Sequence, residues 1–444
     1  MEENLESMEK PFVSIIVPVY NTEEYLEECL NCLVNQTLEN IEIICINDAS
    51  TDNSLKILND FSKNDDRIII ISNETNQGLS ITRNRGIKAA KGEYIVFFDS
   101  DDLIETDAYE KLYNEVKEHE QDMIIYNFKR FDDEGVEWFE IVQKNSNIDE
   151  YAEKTNIIEH PELLWNTIAC NKFIKRDFLI EHNLKFLEKR LFEDLLFSTQ
   201  IQCLTDSIGI YPDVIYKWRF REKGNKSISQ SNENIKNLKD RIFISNEIIN
   251  LLKENEKFKS LLPHLYKKLL EHDFIIFINQ LDMADEEFKE TMISEIVPLI
   301  ETFPKESFDD INELAKTKYN LLVKEDFENI IHIVKYEKST KKITNAKIRE
   351  KNAEIRKLRI RKEEIRKEKN AKIREKNAEI RKLRIRKEER RARKEEIRKE
   401  KNAKIRELRE INKKQREEIK ELKTTKGWIK YKRNNIYERG KNKL

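Results

Sequence analysis

The chain has 444 residues, of which 38% are hydrophobic and 38% charged, a charged share well above the quarter or so usual in globular domains. Its length predicts two or three domains. No proline follows Pro304 and no glycine lies between Gly224 and Gly427, which excludes a β-rich second half and leaves helix. Collagen-like and disulfide-scaffold classes fail on composition.

The formal net charge of −2 conceals an asymmetry. From Glu337 to Leu444 there are 44 Lys and Arg against 19 Asp and Glu, a net of +25, which leaves −27 on the rest. An acidic body therefore joins a basic tail, the part suited to polyanions or an anionic membrane surface. No apolar run approaches the 18 residues or so of a membrane span. The opening MEENLESMEK is acidic and lacks the layout of a signal peptide. Five cysteines suit a reducing compartment. These features predict a cytoplasmic protein, peripheral on the inner face of the membrane if the tail docks there.

In chain order, Phe12–Val17 is a short β-branched run ended by Pro18, the pattern of a buried parallel strand. Glu23–Gln36 carries apolar residues at helical spacing, Ile41–Ile46 is strand-like, and Asp52 can cap a helix running to about Phe61. A strand at Arg67–Ile71, a helix at Leu79–Ala90, a strand at Tyr94–Phe98, a helix at Ala108–His119 and a strand at Met123–Tyr126 continue the alternation. Such alternation specifies an α/β fold, an open and mostly parallel sheet with helices on both faces. The pattern weakens from Phe128 to Lys226, and Asn232 to about Lys335 reads as helical. NAKIREKNAEIRKLRIRKEE then starts at Asn345 and recurs at Asn370, a period of 25. Ile348, Ile355, Leu358 and Ile365 share one helical stripe, with Arg390 where a hydrophobe is expected. Both a coiled-coil homodimer and an isolated charged rod fit this thin seam. The last segment, Lys426–Leu444, mixes Trp428, Tyr431 and Tyr437 with many cations, a composition suited to an interfacial membrane contact. No recognised nucleic-acid-binding module is present.

Chemistry-bearing residues gather where strands end, the place where open α/β sheets bind ligands. Pro18-Val19-Tyr20-Asn21 follows the first strand, Asn47-Asp48 the second, and Asp99-Ser100-Asp101-Asp102 the fourth. An aromatic ring can stack on a base. Two carboxylates at i and i+2 can hold a hard cation whose shell phosphate completes. No Walker loop and no GxGxxG follows any strand. Cys29 and Cys32 form a CxxC without a second pair, so they read as helix-packing residues. The six histidines show no ligand spacing.

VSIIVPVYN (Val13–Asn21), EIICINDASTDNS (Glu42–Ser54), NQGLSITRNRGIKAAKGEYIVFFDSDD (Asn76–Asp102) and LFEDLLF (Leu191–Phe197) stand in the order and spacing of the family 2 glycosyltransferases, which this chain resembles over about Pro11–Tyr216. The resemblance implies a GT-A fold and an inverting, metal-dependent hexosyl-type transferase. It would move a sugar from a nucleotide-diphosphate sugar, most often a UDP-sugar, to a hydroxyl of a cell-envelope or exported glycan or lipid-linked acceptor. By that resemblance Pro18 and Tyr20 line the nucleotide pocket, Asp48 contacts the base and Arg83 the nucleotide. Asp99 and Asp101 form the DxD motif, with Asp99 toward ribose and both toward a divalent Mn or Mg. Glu193-Asp194 is the ED pair, with Asp194 as catalytic base. Asn171-Lys172 and Tyr216–Ser229 resemble acceptor-side elements.

The expected organisation is a catalytic domain at 11–230, its nucleotide-binding half at 11–127 and its acceptor half at 128–230. A helical domain at 231–335, a charged helix at 336–423 and a basic aromatic tail at 424–444 follow. Two other classes compete. A sugar nucleotidyltransferase normally has a glycine-rich phosphate loop near its first strand, and PVYNTEEYLE contains no glycine. A non-catalytic scaffold built on the same domain is disfavoured by intact Asp99, Asp101 and Asp194.

Overall fold

The computed structural model describes residues 10–221 and 234–441. The chain forms two compact units, residues 1–345 and 346–444.

The first unit is built on a mixed sheet. Strand β1 (Val13–Val19) pairs in parallel with β2 (Ile41–Asn47) on one side and β4 (Tyr94–Phe97) on the other, and β3 (Ile68–Ser72) extends it beyond β2. Each of these strands is β-branched, and β1, β2 and β4 are buried on both faces, which is why they read as continuous apolar runs rather than alternations. The helices between them are α1 (Glu23–Val34), α2 (Ser54–Ser62) and α3 (Leu79–Ala89), and α4 (Ala108–His119) follows β4. Asp52 caps as its position predicts: its carboxylate accepts from the Ser54 amide at 2.9 Å and from the Glu23 amide at 3.0 Å, so one side chain serves two helix starts.

Beyond β4 the topology departs from simple alternation. Strand β5 runs over Met123–Asp132 rather than stopping at Tyr126. The next neighbour of β4 is instead the short β8 (Lys172–Lys175), antiparallel to both β4 and β5. A two-residue strand, β6 (Glu137–Trp138), pairs with β5. β9 (Ile208–Phe220) lies parallel to β5, and β7 (Ala152–Thr155) closes the far edge. The full order is β3-β2-β1-β4-β8-β5-β9-β7. Helices α5 (Ile141–Asn145), α6 (Arg176–Glu181) and α7 (Glu193–Leu204) belong to this second half. Because the chain leaves β1 outward to β3 and returns to β4 on the other side, the sheet has a switch point between β1 and β4, where the carboxyl strand ends splay apart and leave a crevice.

The boundary expected at 230 lies outside the described residues. Helix α8 (Ile235–Glu254) and the short helical turns that follow share one hydrophobic core with α7 and the segment before it. Leu238, Ile242 and Leu269 pack with Ile157, Leu164, Leu195 and Leu196, each fully buried aliphatic contributing about 1.5–3 kcal/mol. The compact unit also continues past 335. The long helix Phe327–Leu422 begins with Ile330 and Val334 buried in the same core, and Lys338 pairs with Asp282 at 2.5 Å. Glu337 closes on the ammonium of Lys318, a side chain only 2% exposed.

In the second unit the helix reaches Leu422, a turn follows, and Thr425–Lys441 forms a last helix. Among the side chains described, the repeat's aliphatics stay about half exposed, from 46% at Ile405 to 62% at Leu383. Trp428 and Tyr431 are likewise exposed, with the Lys432 ammonium 4.5 Å from the Trp428 ring. No helix among the described residues is long and apolar enough to cross a membrane.

The unit boundary predicts where the chain tolerates truncation. A protein ending after Asn345 should melt as the full chain's first unit does. One ending after Lys335 leaves the Lys318 ammonium with Asn279 but without Glu337 and should lose about 2 kcal/mol, the order of one hydrogen bond to a charged group. Urea denaturation of the two truncated proteins measures the difference.

Candidate active site

A cleft of about 690 Å³ opens over the carboxyl ends of β1, β2 and β4. It gathers every residue named above as nucleotide-binding, metal-binding or catalytic: Pro18, Tyr20, Asp48, Arg83, Asp99, Asp101, Glu193 and Asp194 all line it. Tyr20 is 46% exposed, so its ring is free to stack. Asp48 is buried, accepting hydrogen bonds from the Asn73 side chain (2.6 Å) and from the amides of Gln77 and Gly78 (both 2.8 Å). Its carboxylate therefore holds the loop entering α3 as well as facing the cleft. Gly78 sits at φ 87°, a region that favours glycine.

Arg83 spans the site. From α3 its guanidinium donates to Asp99 at 2.8 Å and to Glu193 at 3.0 Å, and the side chain is 4% exposed. The expected nucleotide contact is thus joined by a second role, clamping the turn after β4 to the start of α7. Phe192, immediately before α7, adopts a left-handed φ of 62°, rare for a bulky side chain and costing about 1–3 kcal/mol. The Arg241 guanidinium of α8 lies 3.8 Å from the centre of its ring. That strained turn places Glu193 and Asp194 in the first turn of α7, where the helix dipole favours negative charge.

Burial then shapes the acids. It raises the Glu193 carboxyl to about 7, with the neighbouring Asp194 charge adding to the rise and Arg83 opposing it. Asp194 is raised too, chiefly by burial, while Arg83, Arg241 and Lys172 pull it down. Cation neighbours thus keep a buried carboxylate able to accept a proton, the balance a general base needs.

The turn after β4 is held from β9. Asp102, fully buried, accepts from the Tyr216 hydroxyl at 2.5 Å and the Arg219 amide at 2.7 Å. The Arg219 side chain donates to the Asp101 carbonyl at 2.7 Å and to Glu28 at 2.6 Å. Arg221 pairs with the Asp101 carboxylate at 2.7 Å. Residues 216–221 therefore brace the donor-side turn, contrary to the acceptor-side reading of Tyr216–Ser229; the segment from 222 onward lies outside the described residues. Burial raises the Asp101 carboxyl, against the pull of Arg221. Asn171 and Lys172 are also reassigned. Both are fully buried, neither is among the lining residues, and the Lys172 ammonium donates to Asn166 Oδ1 at 2.8 Å and Ile168 O at 2.5 Å. They shape the Thr167–Ile168 wall from behind.

Among the described residues no group of three or more His, Cys, Asp and Glu side chains is placed to hold a metal by itself. Asp99 and Asp101 nonetheless fit a hard cation of the Mg or Mn kind, which commonly takes one or two carboxylates and completes its shell with water and substrate phosphate. The lining that sequence reasoning missed lies on the helical side: Arg241 from α8, and Lys268, His272 and Asp273 around a π-helical turn at Leu269–Asp273. Asp273 binds Lys268 at 2.7 Å, His272 at 2.8 Å and Arg241 at 3.3 Å. A motif search centred on strand ends has no means of finding them.

Residues 14–182 match the family model described as Glycosyl transferase family 2. An uncharacterised glycosyltransferase of Haemophilus influenzae is 30% identical over 290 residues, 58% of this chain and 87% of that protein. A poly(ribitol-phosphate) beta-glucosyltransferase of Bacillus spizizenii is 34% identical over 216 residues, 48% of this chain and 33% of that one. The chain spans between 31% and 62% of the length of four other curated glycosyltransferases that it matches. The crystal structure of S. aureus TarS residues 1–349, in complex with UDP-GlcNAc, superposes with a TM-score of 0.59 at 22% identity, covering 74% of this chain and 92% of that one. This likeness fixes the fold of the first unit as GT-A. With the family match running through β1, β2, β4 and the turn after β4, the chain belongs to glycosyl transferase family 2.

Proposed function

We propose that this chain transfers a sugar from a nucleotide-diphosphate sugar to a hydroxyl of a cell-envelope glycan, by single displacement with inversion and with a divalent cation on the diphosphate. The observation that carries this reading is the Arg83 clamp, which puts the DxD carboxylate Asp99 and the ED carboxylate Glu193 on the two ends of one guanidinium. Donor and acceptor chemistry then fall within one cleft. Tyr20 offers a ring to the base, Asp48 a carboxylate to its edge, and Asp99 and Asp101 oxygen ligands to the cation. When bound, the cation supplies charge neutralisation to the departing diphosphate. Asp194 accepts the proton of the attacking hydroxyl, and Glu193, held by Arg83 and raised by burial, fixes the helix start beneath it.

The relatives with printed substrates favour an envelope polymer as acceptor and a UDP-sugar as donor. Turnover measured across a panel of nucleotide-sugars, with Mn, with Mg and with EDTA, tests the reading; absence of turnover with every donor favours the scaffold alternative.

Asp194→Asn should leave donor binding nearly intact and lower kcat by about 100-fold or more, from the lower end of the range for a general base upward. Since burial raises the Asp194 pKa, the acid limb of kcat/KM in the wild type should lie above the ordinary aspartate value of about 3.9. Activity falls as pH drops through that limb, because protonation removes the base. A pH–rate profile of both proteins checks the assignment, and turnover within a few-fold of wild type in the variant would remove Asp194 from the role.

Asp101→Ala should abolish metal-dependent binding of UDP, and Asp99→Ala should weaken it less. Calorimetry with and without EDTA decides; equal UDP affinity under both conditions in the wild type sinks the metal role.

The basic tail we read as a contact for anionic lipid headgroups. A protein ending after Asn345 should keep transfer to a soluble acceptor yet lose cosedimentation with phosphatidylglycerol vesicles. Binding by the full chain should weaken as salt shortens the Debye length from about 10 Å at 0.1 M to about 3 Å at 1 M.

A further inference from the structure

We infer that the π-helical turn Leu269–Asp273 is an acceptor subsite, in which His272 Nε2 accepts a hydrogen bond from a second hydroxyl of the acceptor, close to the one that attacks. This rests on the transferase reading above and narrows its acceptor to a chemical class, a polyol or sugar with neighbouring hydroxyls. His272, Asp273 and Asp194 all line the one cleft.

The turn is built around one buried carboxylate. Lys268 and Asp273 are five residues apart, which an α-helix would set about 140° from each other. The wider turn, closed by the Phe274 amide on the Leu269 carbonyl at 2.9 Å, brings them together. Lys268 Nζ lies 2.7 Å from Asp273 Oδ2, with both side chains at most 2% exposed. Asp273 Oδ1 meets His272 Nδ1 at 2.8 Å and the Arg241 guanidinium at 3.3 Å. Burial alone would raise the Asp273 carboxyl, yet Lys268 and Arg241 hold it well below the usual carboxylate range. A carboxylate so held keeps the proton of the neutral imidazole on Nδ1 and leaves Nε2 as the acceptor. Among the described residues Nε2 has no protein hydrogen-bond partner. The His272 side chain is 23% exposed, and the Trp165 ring stands edge-on to it at 6.1 Å.

Arg241 ties this turn to the proposed base. Its guanidinium lies 3.8 Å from the centre of the Phe192 ring and 3.3 Å from Asp273. Phe192 is two positions from Asp194, and Asp273 adjoins His272. In a single displacement the hydroxyl enters opposite the departing diphosphate. With the diphosphate at Asp99 and Asp101, the entering side is that of α7 and the helical wall. The attacking hydroxyl then faces Asp194, and its neighbour faces His272. A site built to bond one particular hydroxyl discriminates against an acceptor lacking it, because its own polar atom is left unpaired.

The test uses the full chain and the donor that turns over best in the panel above. Wild type, H272F and H272Q are given n-propanol, propylene glycol or trimethylene glycol in water. Mass spectrometry reads how each protein partitions the sugar between the alcohol and water. Because the ratio is taken within one protein, a general loss of rate cancels. Wild type should favour one of the two diols over n-propanol by at least fivefold, about the worth of one hydrogen bond. H272F should lose that preference, and H272Q, whose amide oxygen can stand in for Nε2, should keep part of it. Equal partition to all three alcohols in wild type, or a diol preference undiminished in H272F, would overturn the proposal. A wild type that consumes no nucleotide-sugar of the panel instead removes the transferase reading, and the subsite with it, a pattern distinct from the other two.

Discussion

One buried guanidinium holds the site together. Arg83 belongs to α3, and its two carboxylate partners belong to the β4 turn and to the start of α7, 16 and 110 residues away in sequence. A cation so deeply buried is tolerable only when paired and hydrogen-bonded, and here each partner is also a residue of the proposed chemistry. The pairing therefore sets the spacing between the turn after β4 and the start of α7 and at the same time meets the requirement of a buried charge. Loss of either carboxylate would leave the other arm of Arg83 to compensate, so the two motifs are energetically coupled.

Around that clamp the structure adds supports in layers. β9 reaches back to the turn after β4 through Tyr216 and Arg219. The helical region reaches forward to α7 through Arg241 on the Phe192 ring. The strained Phe192 backbone persists because packing on both sides over-determines it. The helical region is accordingly a wall of the cleft and part of its core.

Much of this was legible in the sequence, for physical reasons. Strands β1, β2 and β4 announce themselves because burial on both faces demands unbroken aliphatic runs, and the polar turns after them stand out by contrast. The four motifs brought Pro18, Tyr20, Asp48, Arg83, Asp99, Asp101, Glu193 and Asp194 to one place as expected. What stayed hidden was whatever depends on tertiary pairing. Nothing local marks the four-residue β8 as the antiparallel partner of β4 and β5. Arg219 and Arg221 look alike in RFRE, yet Arg219 holds the Asp101 carbonyl and Glu28 while Arg221 meets the Asp101 carboxylate. Lys172 reads as a binding residue by its motif and proves to be an internal tie. Lys268, His272 and Asp273 come from a helical stretch whose apolar stripe conceals its polar face. The boundary set at 335 missed by about ten residues, because composition turns basic before packing ends.

The 25-residue repeat gives the second unit an unusual tolerance. Twenty-five residues at 100° each make 2500°, only about 20° short of seven full turns, and span about 38 Å along the axis. Duplicating or deleting one copy by recombination therefore lengthens or shortens the helix while leaving the downstream side chains in nearly the same rotational phase. The segment carrying Trp428 and Tyr431 would be carried along the helix like a marker on a ruler, with its orientation kept. Length in this part of the molecule can drift between generations as an adjustable parameter, and the chemistry, confined to the first unit, need not change with it.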